Sequence, residues 1–244
     1  YRNPSAEAKA IRPNGRKVAV IGAGPAGLAA AAELGKQGYY VCLYEASDKI
    51  GGALNMIPDE RLPYEVIAKD WSFIFNRDFI TLYLTTKIGS PSDLFSQGFD
   101  GVIVATGEPN VTDLGIPGQE YAVSYMEYLH HPSKYETKGR VAVIGGGLTG
   151  CEIAYELALQ GKNPIIVEMK DDLISQTGVC LANSSYLREW FALHKTPVYL
   201  ETTLKEVKDG SIVCTGKDGK DINIDCDSVI SCAGYIPAPL AEKS

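Results

Sequence analysis

The apolar positions of this chain fall into two similar arrays. Residues 18–21 and 141–144 are unbroken apolar runs of four, the mark of a parallel strand buried on both faces. Glycines follow each run. An Ala/Leu-rich helical stretch then extends to Gly38 or Gly161, and a second strand ends in Glu45 or Glu168. Each array predicts a βαβ unit. Between and after them the pattern is coarser. Residues 63–77 predict an amphipathic helix with Val66, Ile67, Trp71, Ile74 and Phe75 on one side, and residues 79–88 a strand. Residues 109–139 read as a connection, with turn signals at Pro117-Gly118 and His131-Pro132. Residues 184–195 predict a helix with Tyr186, Leu187, Trp190 and Phe191 as its core stripe. Residues 197–232 give short strands split by Asp209-Gly210 and Asp218-Gly219, which suits a small antiparallel meander.

The arrays are copies of one another. Residues 17–45 align with 140–168 without a gap, and 13 of the 29 positions are identical. A second parallel follows, Asp100-Gly-Val-Ile-Val-Ala-Thr-Gly107 with Asp227-Ser-Val-Ile-Ser-Cys-Ala-Gly234. In each copy the glycines fit G-x-G-x-x-G: Gly22, Gly24 and Gly27, then Gly145, Gly147 and Gly150. The first allows a tight turn, the second lets backbone approach a pyrophosphate, and the third lets the helix pack on the strand. The helix N-terminus, with Ala26 in one copy and Leu148-Thr149 in the other, offers N–H groups and a positive dipole end to phosphate. Glu45 and Glu168 stand where a carboxylate accepts from ribose hydroxyls. The expected fold is α/β: two Rossmann-like dinucleotide-binding domains, each a parallel sheet with helices, plus a small antiparallel β-meander.

Composition narrows the partners. The 244 residues carry 30 acidic and 23 basic side chains, a net charge of −7, which disfavours general affinity for nucleic acid or anionic membranes. The longest uncharged apolar stretch, residues 18–32, is broken by three glycines and falls short of the roughly 20 residues a membrane helix needs. Six cysteines contain no C-x-x-C pair; they are expected reduced, in a cytoplasmic protein, without dithiol chemistry. Three histidines lack carboxylate or Cys partners at metal spacing, so no metal site is expected. The chain does not begin with Met, and it is expected to be a piece of a longer protein.

With both fingerprints in place, the array resembles the two-dinucleotide-binding flavoproteins, the pyridine nucleotide-dependent oxidoreductases. Gly22-Ala-Gly-Pro-Ala-Gly-Leu28 is similar to that family's FAD fingerprint. Gly51-Gly52, followed by Ala53-Leu54, is similar to its double glycine beside the flavin ribityl chain, Ala105-Thr106-Gly107 to its A-T-G strand end, and Ala233-Gly234 to its return from the NAD domain. The resemblance implies a linker at 1–16, an FAD-binding domain at 17–118 and 233–244, and an NAD(P)H-binding domain at 119–232. Two subfamilies compete. Arg61, in Pro58-Asp-Glu-Arg61-Leu-Pro63, looks like the small subunit of glutamate synthase, where its counterpart reaches the flavin side. Gly145-Gly-Gly-Leu-Thr-Gly-Cys-Glu152 and Ile165-Ile-Val-Glu168-Met resemble the C-terminal part of Old Yellow Enzyme-like NADH:flavin oxidoreductases, the 2-enoate and 2,4-dienoyl-CoA reductases, and this second reading is preferred.

Further expectations follow from the resemblance. FAD and NADH, with NADPH less favoured, are the cofactors. FMN and a 4Fe-4S cluster belong to an upstream barrel domain that this chain does not contain. The family's far-side Gly-Asp clamp would lie beyond Ser244, so the FAD domain is expected to be incomplete at its C-terminus and to hold FAD weakly. Ile88 ends the strand that contacts adenine through its backbone. No residue is assigned a catalytic role, since hydride transfer belongs to the cofactors. A non-enzymatic nucleotide-binding module stays as the alternative from another class.

Overall fold

The computed structural model describes residues 11–57, 61–75, 78–107, 110–131, 134–135 and 139–236. The chain divides into two compact units, Tyr1–Asn110 with Pro237–Ser244, and Val111–Ile236.

The first unit begins with β1 (Lys17–Ile21), α1 (Pro25–Lys36) and β2 (Tyr40–Tyr44). A 3-10 turn (Gly52–Met56), α2 (Tyr64–Phe75), β3 (Ile80–Tyr83), α3 (Ser92–Ser96) and β4 (Gly101–Val104) follow. The four strands form a parallel sheet in the order β3-β2-β1-β4. Ala19, Val20 and Leu43 are wholly buried, because helices cover one face and α3 with Phe99 covers the other. Residues 12–16 are held against the α1–β2 turn. Asn14 N donates to Gly38 O at 2.9 Å, and Tyr40 N to Arg16 O at 2.9 Å.

β5 (Asn110–Val111) falls at the boundary, and the second unit carries β6 (Ala122–Ser124), α4 (Tyr125–His130), β7 (Arg140–Ile144), α5 (Leu148–Leu159), β8 (Asn163–Val167), α6 (Leu181–Leu193) and β9 (Val198–Tyr199). Then come β10 (Thr203–Lys208), β11 (Ser211–Thr215), β12 (Asp221–Asp225), β13 (Ser228–Ser231) and β14 (Tyr235–Ile236). A five-stranded parallel sheet runs β6-β13-β7-β8-β9. Side chains alternate across it. Val141, Val143 and Ile166 pack under α5 and α6, whereas Ala142, Ile144, Ile165 and Val167 pack under the antiparallel β10-β11-β12 meander. Burying a side chain such as Leu157 or Ile212 fully contributes about 1.5–3 kcal/mol.

Several expectations change. The strand expected at 79–88 spans only Ile80–Tyr83, so Ile88 lies outside it, half-buried against the cluster of Ala19, Ile21, Cys42, Leu94 and Phe99. The connection expected at 109–139 contains β6 and α4. The meander is confined to β10–β12, because β9 and β13 join the parallel sheet. Val66 on α2 and Tyr186 on α6 are exposed, while Ile67, Leu187 and Phe191 face the core. The side chains of Ile74 and Phe75 lie outside the described residues.

Candidate functional site

In both units the fingerprint loop leaves the central strand where the sheet order reverses: β1 lies between β2 and β4, and β7 between β8 and β13. Ligands of open parallel sheets sit at such a switch point. Gly22 and Gly145 make the tight turn with φ of +101° and +106°. Each also abuts the end of the neighbouring strand. A Cβ on Gly145 would lie 2.6 Å from Cys232 O, beside Ala233, and one on Gly22 would run into Ala105 O, beside Thr106. Gly27 and Gly150 are closed off too, since a Cβ at either would overlap the carbonyl oxygen of Gly22 or Gly145.

The middle glycines differ. Gly24 and Gly147 are the N-caps of α1 and α5, and no side chain caps either helix. Among the described residues, a Cβ on Gly24 would meet Gly52 Cα, at 3.8 Å, and the nearest atoms to one on Gly147 are those of the Gln176 amide, from 3.3 Å. An uncapped N-terminus with an open cradle is the donor set that a pyrophosphate needs, so a dinucleotide fits both units. Ala26, Leu148 and Thr149 occupy the first helical turns.

Both carboxylates are tied to the loop they serve. Glu45 Oε2 accepts from Ala23 N at 2.7 Å, and Oε1 accepts from Ser47 N at 2.9 Å. Glu168 Oε2 accepts from Gly146 N at 2.6 Å, and Oε1 from Lys170 N at 2.8 Å. Glu168 is buried, 8 % exposed. A carboxylate has about four acceptor positions, which leaves capacity for ribose hydroxyls on each. Ala23 and Gly146, the second residues of the fingerprints, are the loop partners that motif reading passes over.

The remaining expected residues divide. Gly52 stacks on the first loop, a Cβ there lying 2.9 Å from Gly24 Cα, and Ala53 and Leu54 continue its 3-10 turn. Gly107 and Gly234 both take left-handed backbone, and a Cβ on Gly234 would lie 3.7 Å from Thr112 Oγ1. Arg61 is exposed ahead of α2, and Ile88, beyond the end of β3, is half-buried against the cluster that includes Ile21 at the end of β1. Among the described residues no three His, Cys, Asp or Glu side chains gather at metal distance, and no helix is long and apolar enough to cross a membrane.

Residues 16–244 match the family described as pyridine nucleotide-disulphide oxidoreductase. The chain belongs to this family. Among curated relatives, the oxidoreductase is 30% identical to the cinnamate reductase of Clostridium sporogenes over 225 residues, covering 91% of this chain and 33% of that protein. It is 35% identical to the glutamate synthase [NADPH] small chain of Bacillus subtilis over 158 residues, covering 57% of this chain and 31% of that one. The chain thus spans about a third of the length of these relatives. Among solved structures, a 2-naphthoyl-CoA reductase complex superposes with a TM-score of 0.76 at 25% identity, over 94% of this chain and 35% of that one. Family membership implies FAD and NAD(P)H as cofactors, and the chain is a pyridine nucleotide-disulphide oxidoreductase module.

Cys42, Cys151, Cys214 and Cys226 of this oxidoreductase are buried packing groups. Burial, with the Glu168 charge adding to it, pushes Cys151 up to about 12. Burial raises Cys214 and Cys226 to about 11, and it also pushes half-buried Cys232 upward. A raised pKa means less thiolate at neutral pH, and thiolate is the reactive form. Exposed Cys180 is therefore expected to react first with an aromatic disulfide reagent at neutral pH, and the four raised thiols, Cys151, Cys214, Cys226 and Cys232, only after denaturation. Fast labelling of Cys151 in the native protein, read by peptide mass, would contradict this packing.

Proposed function

We propose that this chain is the NADH-oxidising flavoprotein module of a larger reductase. FAD occupies the Tyr1–Asn110 unit and NADH the Val111–Ile236 unit. The bound cofactors supply hydride transfer from nicotinamide to flavin. Electrons then pass onward to an upstream FMN and iron–sulfur domain that reduces an enoate or an enoyl- or dienoyl-CoA. The observation that carries this reading is the repetition of one apparatus. Each unit has an uncapped helix N-terminus at a bare glycine, closed by a strand-end glutamate bonded to the loop's second residue. The 91% coverage by the cinnamate reductase match, against 57% for the glutamate synthase small chain, favours the enoate-type relative over the glutamate synthase type.

The protein's own residues bind and orient. Gly24 and Gly147 admit phosphate against the backbone. Ala105, Thr106 and Gly107 at the end of β4, and Ala233 and Gly234 after β13, border the switch points. Glu45 and Glu168 accept from ribose hydroxyls. The Glu168 carboxylate repels a 2′-phosphate, so NADH is preferred over NADPH.

The test is an anaerobic titration of the FAD-reconstituted protein. NADH bleaches the visible flavin band, and NADPH does so only at higher concentration. Glu168→Ala weakens NADH by about 1–3 kcal/mol, the range for lost charge-assisted hydrogen bonds, and Glu168→Gln narrows the gap between the two nucleotides. Tighter binding of NADPH would sink the assignment of Glu168. Nucleotide binding without bleaching would favour the non-enzymatic module.

A further inference from the structure

The repeat extends further in three dimensions than the sequence alignment of 17–45 with 140–168. At the same offset of 123, Gly51 N donates to Ala23 O at 2.9 Å and Ile174 N donates to Gly146 O at 2.7 Å. Ser47 N and Lys170 N each donate to the strand-end glutamate of their unit. Ile50 and Leu173 are both buried at matching positions. The segment after each glutamate is therefore the same strap, folded back across its fingerprint loop.

The two straps end differently. In the first unit Gly51 and Gly52 take φ of +113° and +53°, and Gly52 lays bare backbone on Gly24. In the second unit Ile174 takes φ of +49°, a costly conformation for a β-branched residue that persists only where surroundings fix it. Arg188 of α6 supplies that fixing. Its Nε donates to Leu173 O at 2.9 Å, its Nη2 donates to Leu173 O at 2.5 Å, and the same nitrogen pairs with Asp172 Oδ2 at 3.0 Å. The backbone is thereby turned so that exposed Gln176 hangs over the second fingerprint. Gln176 Nε2 and Oε1 stand 3.3 and 3.5 Å from the point a Gly147 Cβ would occupy.

We propose that Gln176 is a ligand of the pyrophosphate bound in the Val111–Ile236 unit, and that Arg188 is the positioning residue that holds its strap. This rests on the nucleotide assignment above. The amide donates an N–H to a phosphate oxygen where the strap of the first unit lays Gly52 backbone on its fingerprint glycine. The Arg188 guanidinium also offsets the Asp172 carboxylate on the same strap, so the approaching phosphates do not meet an unpaired charge there.

The experiment is calorimetric titration of the full chain, saturated with FAD, with two probes: ADP-ribose, which carries the pyrophosphate, and adenosine, which does not. Gln176→Ala is expected to weaken ADP-ribose about tenfold, as loss of a charge-assisted hydrogen bond would. Gln176→Glu weakens it further and Gln176→Lys recovers it, while adenosine affinity and melting temperature stay level across the series because the side chain is exposed. Arg188→Ala reproduces the Gln176→Ala loss, and the double variant adds little to either. A flat ADP-ribose series overturns the proposal and leaves the nucleotide assignment standing. Tighter binding by Gln176→Ala also overturns it, because the amide would then be a plug. Failure of the unaltered chain to bind ADP-ribose at all overturns both.

Discussion

Gly147→Ala is expected to cost most of the NADH affinity, about 10- to 100-fold, with little change in melting temperature. The nearest atoms to a methyl there belong to the flexible Gln176 side chain, at 3.3 Å and beyond. Gly147 is also the N-cap of α5 with extended backbone, φ −69° and ψ −177°, which Ala adopts without strain. The fold therefore tolerates the change. A dinucleotide does not, because its pyrophosphate must lie against that same backbone. Forcing an added methyl against a fixed partner costs about 1–3 kcal/mol, which is the affinity loss quoted. Fluorescence titration with NADH beside a thermal melt checks both halves. Unchanged NADH binding would remove the second unit from the list of nucleotide sites, and the two-cofactor reading with it.

Gly150→Val should do the reverse. A Cβ at Gly150 overlaps Gly145 O, and it would also stand 3.3 Å from Cys232 Cβ. Both neighbours are anchored. Gly145 N donates to Val167 O at 2.8 Å, and Cys232 N donates to Ile144 O at 2.7 Å. Relief demands that α5 move off β7, opening a core that includes Cys151, Ala154 and Leu157. The expected loss is about 3 kcal/mol or more of stability, seen as a lower urea midpoint, with residual NADH binding falling only as the folded fraction falls. A variant that kept its urea midpoint but lost NADH would show Gly150 to be a ligand contact instead of a packing one.

The two glycine outcomes rest on features legible in the sequence to different degrees. The spacing of Gly145, Gly147 and Gly150 is a side-chain fact, and so are Glu168 and the apolar runs of β1 and β7; each was open to reading. The strap was not. Residues 45–52 and 168–175 share only Glu45/Glu168 and Asp48/Asp171, because its bonds run through main-chain N–H and C=O groups that leave side chains free to diverge. Ile174 even carries a residue type that argues against the left-handed turn it makes. Helix α4 was missed for another reason. Its six residues are under two turns, too few to display a helical period. Ser124 with Glu127, whose N–H the Ser124 hydroxyl accepts at 3.2 Å, is the capping signal that marks it. Ile88 falls outside the strand because Leu84 and Ile88, apolar past Tyr83, pack from the following loop on opposite faces of the sheet instead of extending the ladder.

Each first strand is fastened by a residue far along the chain. Lys17 N donates to Asp100 Oδ2 and Arg140 N to Asp227 Oδ2, both at 2.7 Å, across 83 and 87 residues. The Gly145 turn likewise leans on Cys232. During synthesis, the fingerprint loop emerges long before the strand that sets its shape. Closing so long a segment is entropically slow to repay. On the proposed reading, a nucleotide would therefore select and stabilise the finished unit without templating its assembly: a nascent chain halted before β13 would hold every glycine of the motif and lack the strand end that Gly145 abuts.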